Sequence, residues 1–253
     1  KKLEYRGYDS AGLATITNGE IDEKKCPGRV EKLENILFHN PSIGNLGIGH
    51  VRWATHGIPS KVNAHPHSSE KVSVVHNGII ENSNELKKKL ESSGNIFKSQ
   101  TDTEVITVIL TEKLKKLNPL NAVFETLELL KGSFALGIIF KDHSDFVIGA
   151  RRGSPLAVGY SNNENYLGSD SYALKSMTNK ISYLDDGDVC VISRDEINFY
   201  NSKRSKINKE VFTLSEDKSS ASKGNYKNFM IKEIFEQPIT TKTCLKEYID
   251  KIR

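Results

Sequence analysis

Ser133-Phe-Ala-Leu-Gly-Ile-Ile-Phe140, followed after a short polar break by Phe146-Val-Ile-Gly-Ala150, is where the apolar period of this chain changes. Runs of this length, rich in β-branched and aromatic residues and bounded by turn formers, read as strands. The rhythm continues through Leu156 to Tyr160, Tyr166 to Gly168, Ile181 to Leu184, Val189 to Ser193, Ile197 to Tyr200 and Val211 to Leu214, interrupted by one short helix near Tyr172 to Met177. Strands joined by tight turns pair antiparallel, so this half of the chain predicts mostly antiparallel sheet.

Upstream of Ser133 the period is helical. Asn82-Ser-Asn-Glu85 predicts a helix start, with Asn82 capping the first turn and Glu85 reaching back, and Gly94 as the stop. Thr101-Asp-Thr-Glu104 opens a second helix, with Ile106, Leu110, Leu114 and Leu117 at helical spacing. Asn118-Pro119 begins a third, which closes before Gly132. Nearer the start, Leu3 to Gly12 is a turn-rich approach to a strand, Asn18-Gly19 predicts a hairpin, and Glu31 to His39 a short helix ended by Asn40-Pro41. Leu46 to Trp53 and Val72 to His76 read as strands. Helices from the first half covering a face of the sheet give an α+β layered domain.

Residues 1–214 are read as that domain, 215–228 as a polar linker, and 229–253 as a helical connector, with helices Phe229 to Gln237 and Ile239 to Ile252 on either side of Pro238, leading towards a domain outside this chain. The chain opens Lys1-Lys2 with neither an initiator Met nor a signal peptide, so it reads as a fragment or a processed product.

Composition excludes several classes. The 253 residues are 37% hydrophobic and 27% charged, and no apolar run reaches the length that spans a membrane. A net charge of +4 is mild, and the basic clusters Lys87 to Lys89 and Lys203 to Lys206 are short and separate. They read as solvated faces and argue against a nucleic-acid partner. Cys26, Cys190 and Cys244 are widely spaced without CxxC pairing, which fits a reducing cytoplasm.

Unusual residues concentrate between His50 and Gly78. Five of the seven histidines (His50, His56, His65, His67, His76), the only tryptophan, Trp53, and Arg52 lie there. Asn77-Gly78 follows an apolar run and predicts a sharp turn. A small zwitterion would find its needs here. An arginine fork at Arg52 suits a carboxylate, Asp102 at a helix mouth suits an ammonium, and Asn77 with the Gly78 N–H suits a developing oxyanion. Each has a plainer reading: Arg52 in a structural ion pair, Trp53 in the core, Asp102 as a helix-start acid, Asn77-Gly78 as a turn. His65 and His67 with His50, His56 or His76 leave a metal site open, although neither cysteines nor an HExxH pattern supports it.

Taken together, Tyr5-Arg-Gly-Tyr-Asp-Ser-Ala-Gly12, His50-Val-Arg-Trp-Ala-Thr-His-Gly57, Asn63-Ala-His-Pro-His67, Val75-His-Asn-Gly-Ile-Ile-Glu-Asn82 and Thr101-Asp-Thr-Glu-Val105 resemble the glutaminase domain of class II glutamine amidotransferases. Arg152-Gly-Ser-Pro-Leu156, Gly168-Ser-Asp170 and Lys232-Glu-Ile-Phe-Glu-Gln-Pro238 extend the resemblance over essentially the whole chain, and the last favours the branch that aminates a sugar phosphate over the phosphoribosyl branch.

The resemblance implies a four-layer αββα sandwich of the N-terminal-nucleophile hydrolase type, with two antiparallel sheets between helix layers. It implies a mature N-terminal cysteine as nucleophile, its own α-amino group acting as base, and no cofactor or metal. Arg52, assisted by Thr55 and His56, would bind the α-carboxylate of L-glutamine, and Asp102 its α-amino group. Asn77 and Gly78 would form the oxyanion hole, His76 and Trp53 would shape the pocket, and Arg6 would order the nucleophile's loop. The cysteine is expected upstream of Lys1; Cys26, before Pro27 and flanked by lysines, is not a replacement. Domains that receive the ammonia, bind fructose 6-phosphate and form a homodimer are expected beyond Arg253, so the bare chain is expected to lack activity. A glutamine-binding module without catalysis remains the alternative, as does the phosphoribosylpyrophosphate branch.

Overall fold

The computed structural model describes residues 3–4, 7–54, 56–214 and 224–250. The chain divides into two compact units, Lys1–Leu214 and Ser215–Arg253.

In the first unit, β1 (Ser10–Thr17) turns at Asn18-Gly19 into β2 (Glu20–Pro27), with both turn residues at positive φ, as the sequence predicts. Helix α1 (Val30–His39) follows, then β3 (Gly47–Arg52), the two-residue strand β4 (His67–Ser68) and β5 (Val72–Ile80). Three helices come next: α2 (Ser83–Ser92), α3 (Glu104–Lys113) and α4 (Pro119–Leu127). The remainder is β6 (Gly132–Phe140), β7 (His143–Arg152), β8 (Ala157–Tyr160), β9 (Asn165–Gly168), α5 (Ser171–Leu174), β10 (Lys180–Tyr183), β11 (Val189–Ser193), β12 (Ile197–Tyr200), β13 (Lys206–Ile207) and β14 (Phe212–Thr213).

Among the described residues every paired strand is antiparallel. They form a seven-stranded sheet, β13-β12-β11-β7-β6-β5-β4, a three-stranded sheet, β2-β1-β3, and a four-stranded sheet, β14-β10-β8-β9. Alternation along the central strands shows how these stack. Leu136 and Ile138 of β6 and Ile148 of β7 face α2, α3 and α4, in a core that includes Leu86, Ile106, Leu110 and Phe124. The opposite face of the same sheet meets both smaller sheets. Ile139 and Val147 pack on Ala14 and Ile48, while Ala135 and Cys190 pack on Leu156 and Val158. Beyond these, α1 covers β1 and β2 through Val30 and Leu33, and α5 covers β8 and β10 through Leu174. The order is therefore helix, sheet, sheet, helix, and the second sheet layer consists of two separate ladders.

Local chemistry explains the ends of α4 and the start of α5. Asn118 caps α4, its Oδ1 accepting from the Asn121 N–H at 2.9 Å, with Pro119 at the first helical position. Arg152 donates to the Leu130 and Leu127 carbonyls at the end of α4 and lies over the Phe134 ring. Asp170 caps α5, accepting from the Ala173 N–H at 2.7 Å. Two of the resembling runs, Arg152 to Leu156 and Gly168 to Asp170, thus contain helix-end devices.

Two expectations change. Asn82 precedes α2 but makes no capping bond; its amide donates to the Leu129 carbonyl and accepts from the Lys131 N–H, tying α2 to the β6 approach. In the second unit a single helix, α6 (Phe229–Asp250), runs through Pro238, where the sequence predicts two helices. The strands β4 and β13 are too short to carry a readable period. Arg6, Thr55 and residues 215–223 of the expected linker lie outside the described residues.

Candidate functional site

The site is built on the second half of β5. Asn77-Gly78 is not a turn: the strand runs on to Ile80, with Asn77 opposite Ala135 and Gly78 opposite Phe134 on β6. The positive φ that Asn-Gly advertises is real, since Gly78 has φ +126. A Cβ there would stand 2.1 Å from the Ser133 carbonyl oxygen, so only glycine fits. The residue allows close backbone approach inside a ladder, where the sequence suggested a hairpin.

Asp102 lies two residues ahead of α3, nearly buried, and its Oδ2 accepts from the Ile80 N–H at 2.7 Å. The carboxylate is thereby fixed to the strand that carries Asn77 and Gly78.

Arg52 ends β3 and is buried. Its Nη2 donates to the carbonyls of His56 and, at 3.3 Å, Gly57, and its Nη1 lies 3.9 Å from Asp9 Oδ1, too far for a hydrogen bond. Nη1 is buried with no hydrogen-bond partner among the described residues. An incompletely satisfied buried guanidinium is costly unless a ligand completes it. The same strand end carries Trp53, which is not in the core: it is 57% exposed and meets Tyr8 edge-on, ring centroids 5.9 Å apart. His56 is exposed.

Between these groups lies a buried polar core. Thr103 Oγ1 is 2.9 Å from both His65 Nε2 and His76 Nδ1, and Thr101 Oγ1 is 2.9 Å from His67 Nε2. One hydroxyl donates once, so one of the two rings on Thr103 accepts its proton and the other donates to it. The rings of His50 and His65 meet at a tilt of 34° with centroids 4.4 Å apart, and His50 Nε2 lies 2.8 Å from Asn77 Oδ1.

Burial pulls His67 down to about 3 and His50 to about 4, and holds His65 well below the ordinary 6.5. It lowers His76 as well, with the negative charge of Asp102 pulling the other way. All four rings are neutral at neutral pH. Asn63 closes the set: its Nδ2 donates to the Ile58 carbonyl and Gln100 Oε1, and its Oδ1 accepts from the Gln100 N–H, fixing the loop after Arg52 to the approach to Asp102. Thr101 and Thr103 were legible only as a helix start, and nothing in their spacing pointed to histidines 27 to 38 residues away.

A cleft of about 850 Å³ opens beside this core. Its floor includes Val75 and Gly137, its walls come from β3 and β9, and His50, His76 and Asn77 line one part of it. Arg52, Trp53, Gly78 and Asp102 are not among its lining. Among the described residues no three His, Cys, Asp or Glu groups are arranged to hold a metal ion. Of the cysteines, Cys26 and Cys190 are buried, and burial raises both thiols, Cys190 to about 12. Neither has the character of a nucleophile.

Comparison with known proteins identifies the family. A family model described as a glutamine amidotransferase domain matches residues 50–176, the segment that holds Arg52, Asn77, Gly78 and Asp102. The chain is 46% identical over 250 residues to a glutamine–fructose-6-phosphate aminotransferase (isomerizing) of Zymomonas mobilis, covering 98% of this chain and 41% of the relative. It is 47% identical over 251 residues to the protein of that name from Mesorhizobium japonicum, covering 99% and 41%. The chain therefore spans about two fifths of the length of these relatives. Among solved structures, a glutamine phosphoribosylpyrophosphate amidotransferase from B. subtilis superimposes with a TM-score of 0.69 at 24% identity, over 81% of this chain and 45% of that one.

Proposed function

Because the chain belongs to the glutamine amidotransferase domain family, we propose that it binds L-glutamine between Arg52 and Asp102 and forms the glutaminase part of a glutamine:fructose-6-phosphate aminotransferase. The observation that carries this reading is Nη1 of buried Arg52, without a hydrogen-bond partner among the described residues, together with a carboxylate, Asp102, fixed to the strand of Asn77 and Gly78. A free α-amino acid supplies the complement of both charges. Thr55 and His56 would support the α-carboxylate, His76 and Trp53 the pocket walls, and Arg6 the loop of the nucleophile.

In this reading a cysteine thiolate, supplied by the parent protein upstream of Lys1, adds to the side-chain amide carbon. The carbonyl oxygen becomes an oxyanion, which takes hydrogen bonds from Asn77 Nδ2 and the Gly78 N–H. Collapse of the adduct re-forms the carbonyl, breaks the C–N bond and releases ammonia with a proton from the nucleophile's α-ammonium. Water then hydrolyses the thioester to glutamate. The ammonia aminates fructose 6-phosphate, isomerised to glucosamine 6-phosphate in a further domain, through which the parent forms a homodimer. The three free cysteines suit a cytoplasmic setting, and among the described residues no helix is long and apolar enough to cross a membrane. Identities of 46–47% to aminotransferases named for fructose 6-phosphate favour that acceptor over phosphoribosylpyrophosphate, for which the 24% structural likeness speaks to fold alone.

The test is glutamate release from glutamine by the full-length protein, with and without fructose 6-phosphate. Glutamate and glucosamine 6-phosphate should appear together, and Asn77→Ala should lower kcat about 10²–10³-fold, as loss of an oxyanion donor does. An Asn77→Ala protein that turns over glutamine as fast as wild type would refute the assignment.

A further inference from the structure

Resting on the glutaminase reading, we infer that His50 is a positioning residue for Asn77: its ring holds Oδ1 of the Asn77 amide, which leaves the Nδ2 hydrogens, and not Oδ1, free to meet the oxyanion. The two residues belong to different layers, His50 on β3 and Asn77 on β5, and both line the cleft. Their hydrogen bond, Nε2 to Oδ1 at 2.8 Å, spans the interface between the sheets.

Two features give the bond a direction. The other ring nitrogen, Nδ1, is buried without a hydrogen-bond partner among the described residues. An orphaned buried N–H is rarer and costlier than an orphaned lone pair, so the neutral ring carries its proton on Nε2 and donates it to Asn77 Oδ1. The ring is also clamped. It packs at a tilt against His65 with centroids 4.4 Å apart, and Thr103 holds both His65 and His76, the residue before Asn77. The terminal torsion of an asparagine side chain is broad and roughly two-fold. Without a partner for Oδ1, Asn77 would present its carbonyl to the oxyanion part of the time, and a carbonyl facing an oxyanion repels it.

The contribution of His50 is therefore confined to the transition state, while Arg52 and Asp102 hold the ground state. In the full-length protein, His50→Leu should lower the glutaminase kcat about 10- to 100-fold, part of the ~10²–10³ that a whole oxyanion donor is worth, with KM for glutamine within about threefold. His50→Gln, whose amide N–H can reach Oδ1, should recover most of the rate. His50→Asn, one methylene shorter, should not. In a double-mutant cycle, His50→Leu should cost little once Asn77 is alanine, because there is no amide left to orient.

If His50→Leu does not fold, the Gln and Asn variants and their cycles with Asn77→Ala carry the same comparison. Multiplicative losses in the cycle, or a raised KM at unchanged kcat, would overturn the inference and leave the glutaminase reading standing. A wild-type protein that releases no glutamate would overturn both.

Discussion

Two cores meet on β5, and they are built differently. Val72, Val74 and Ile80 join the apolar core under α2, α3 and α4, where Leu136, Ile138 and Ile148 from neighbouring strands fill the same space. In the same helix-facing row, His76 belongs to the polar core, which rests on Thr101, Thr103 and a few hydrogen bonds. The apolar core is sustained by many weak contacts, each replaceable by another of similar size. Its polar neighbour is sustained by single atoms, each of which fixes a tautomer or a carboxylate. The first sets how stable the domain is; the second sets where Asn77 and Asp102 stand.

Mutations separate the two. Ile138→Ala, at a fully buried position of β6, should destabilise by about 2–5 kcal/mol in denaturant unfolding. Under conditions where that variant is still folded, its glutamine affinity should match wild type. Thr103→Val keeps the shape and removes the hydroxyl shared by His65 and His76. Its cost should be about 1–3 kcal/mol for the unpaired ring nitrogens, with Thr103→Ser close to wild type. Here glutamine binding should fall further than stability, because Asp102 is the next residue. Equal affinity in Thr103→Val and Ile138→Ala would erase the distinction.

Acid provides a finer probe. His65 and His67 are buried neutral, with folded values well below 6.5 and about 3 respectively. The unfolded chain binds protons near 6.5 and the folded one does not, so stability rises with pH through this window. It is complete above about 7 and is lost as pH falls from the unfolded value towards the folded ones. Each such histidine contributes up to about 1.4 kcal/mol per pH unit there. His67→Gln should flatten the slope between pH 6 and 4 by about one proton, and an unchanged slope would place the ring outside the buried network.

The contrast also explains what was legible in the sequence. The apolar core announced itself through spacing: Ile106 and Leu110 on α3, the runs at β6 and β7, and the Asn118-Pro119 start of α4 all stand where the period puts them. Local chemistry misled where a distant partner took over. Asn82 spends its amide on Leu129 and Lys131, Trp53 meets Tyr8 edge-on at the surface, and Gly78 uses its positive φ inside a ladder. The residue types of the candidate site stand out in the sequence, because an arginine, an acid and an Asn-Gly pair suit an amino acid. Their supports could not, because Thr103, His65 and His50 touch only after the chain has folded.

The most direct test of the central claim is titration calorimetry of L-glutamine into this 253-residue chain beside Arg52→Ala and Asp102→Ala, with far-UV circular dichroism to show that each variant is folded. Saturable binding by the wild-type chain, weakened at least about 30-fold in each variant as expected for loss of a charged hydrogen-bonding partner worth ~2 kcal/mol or more, is the result expected. Binding that persists unchanged in both folded variants would contradict it.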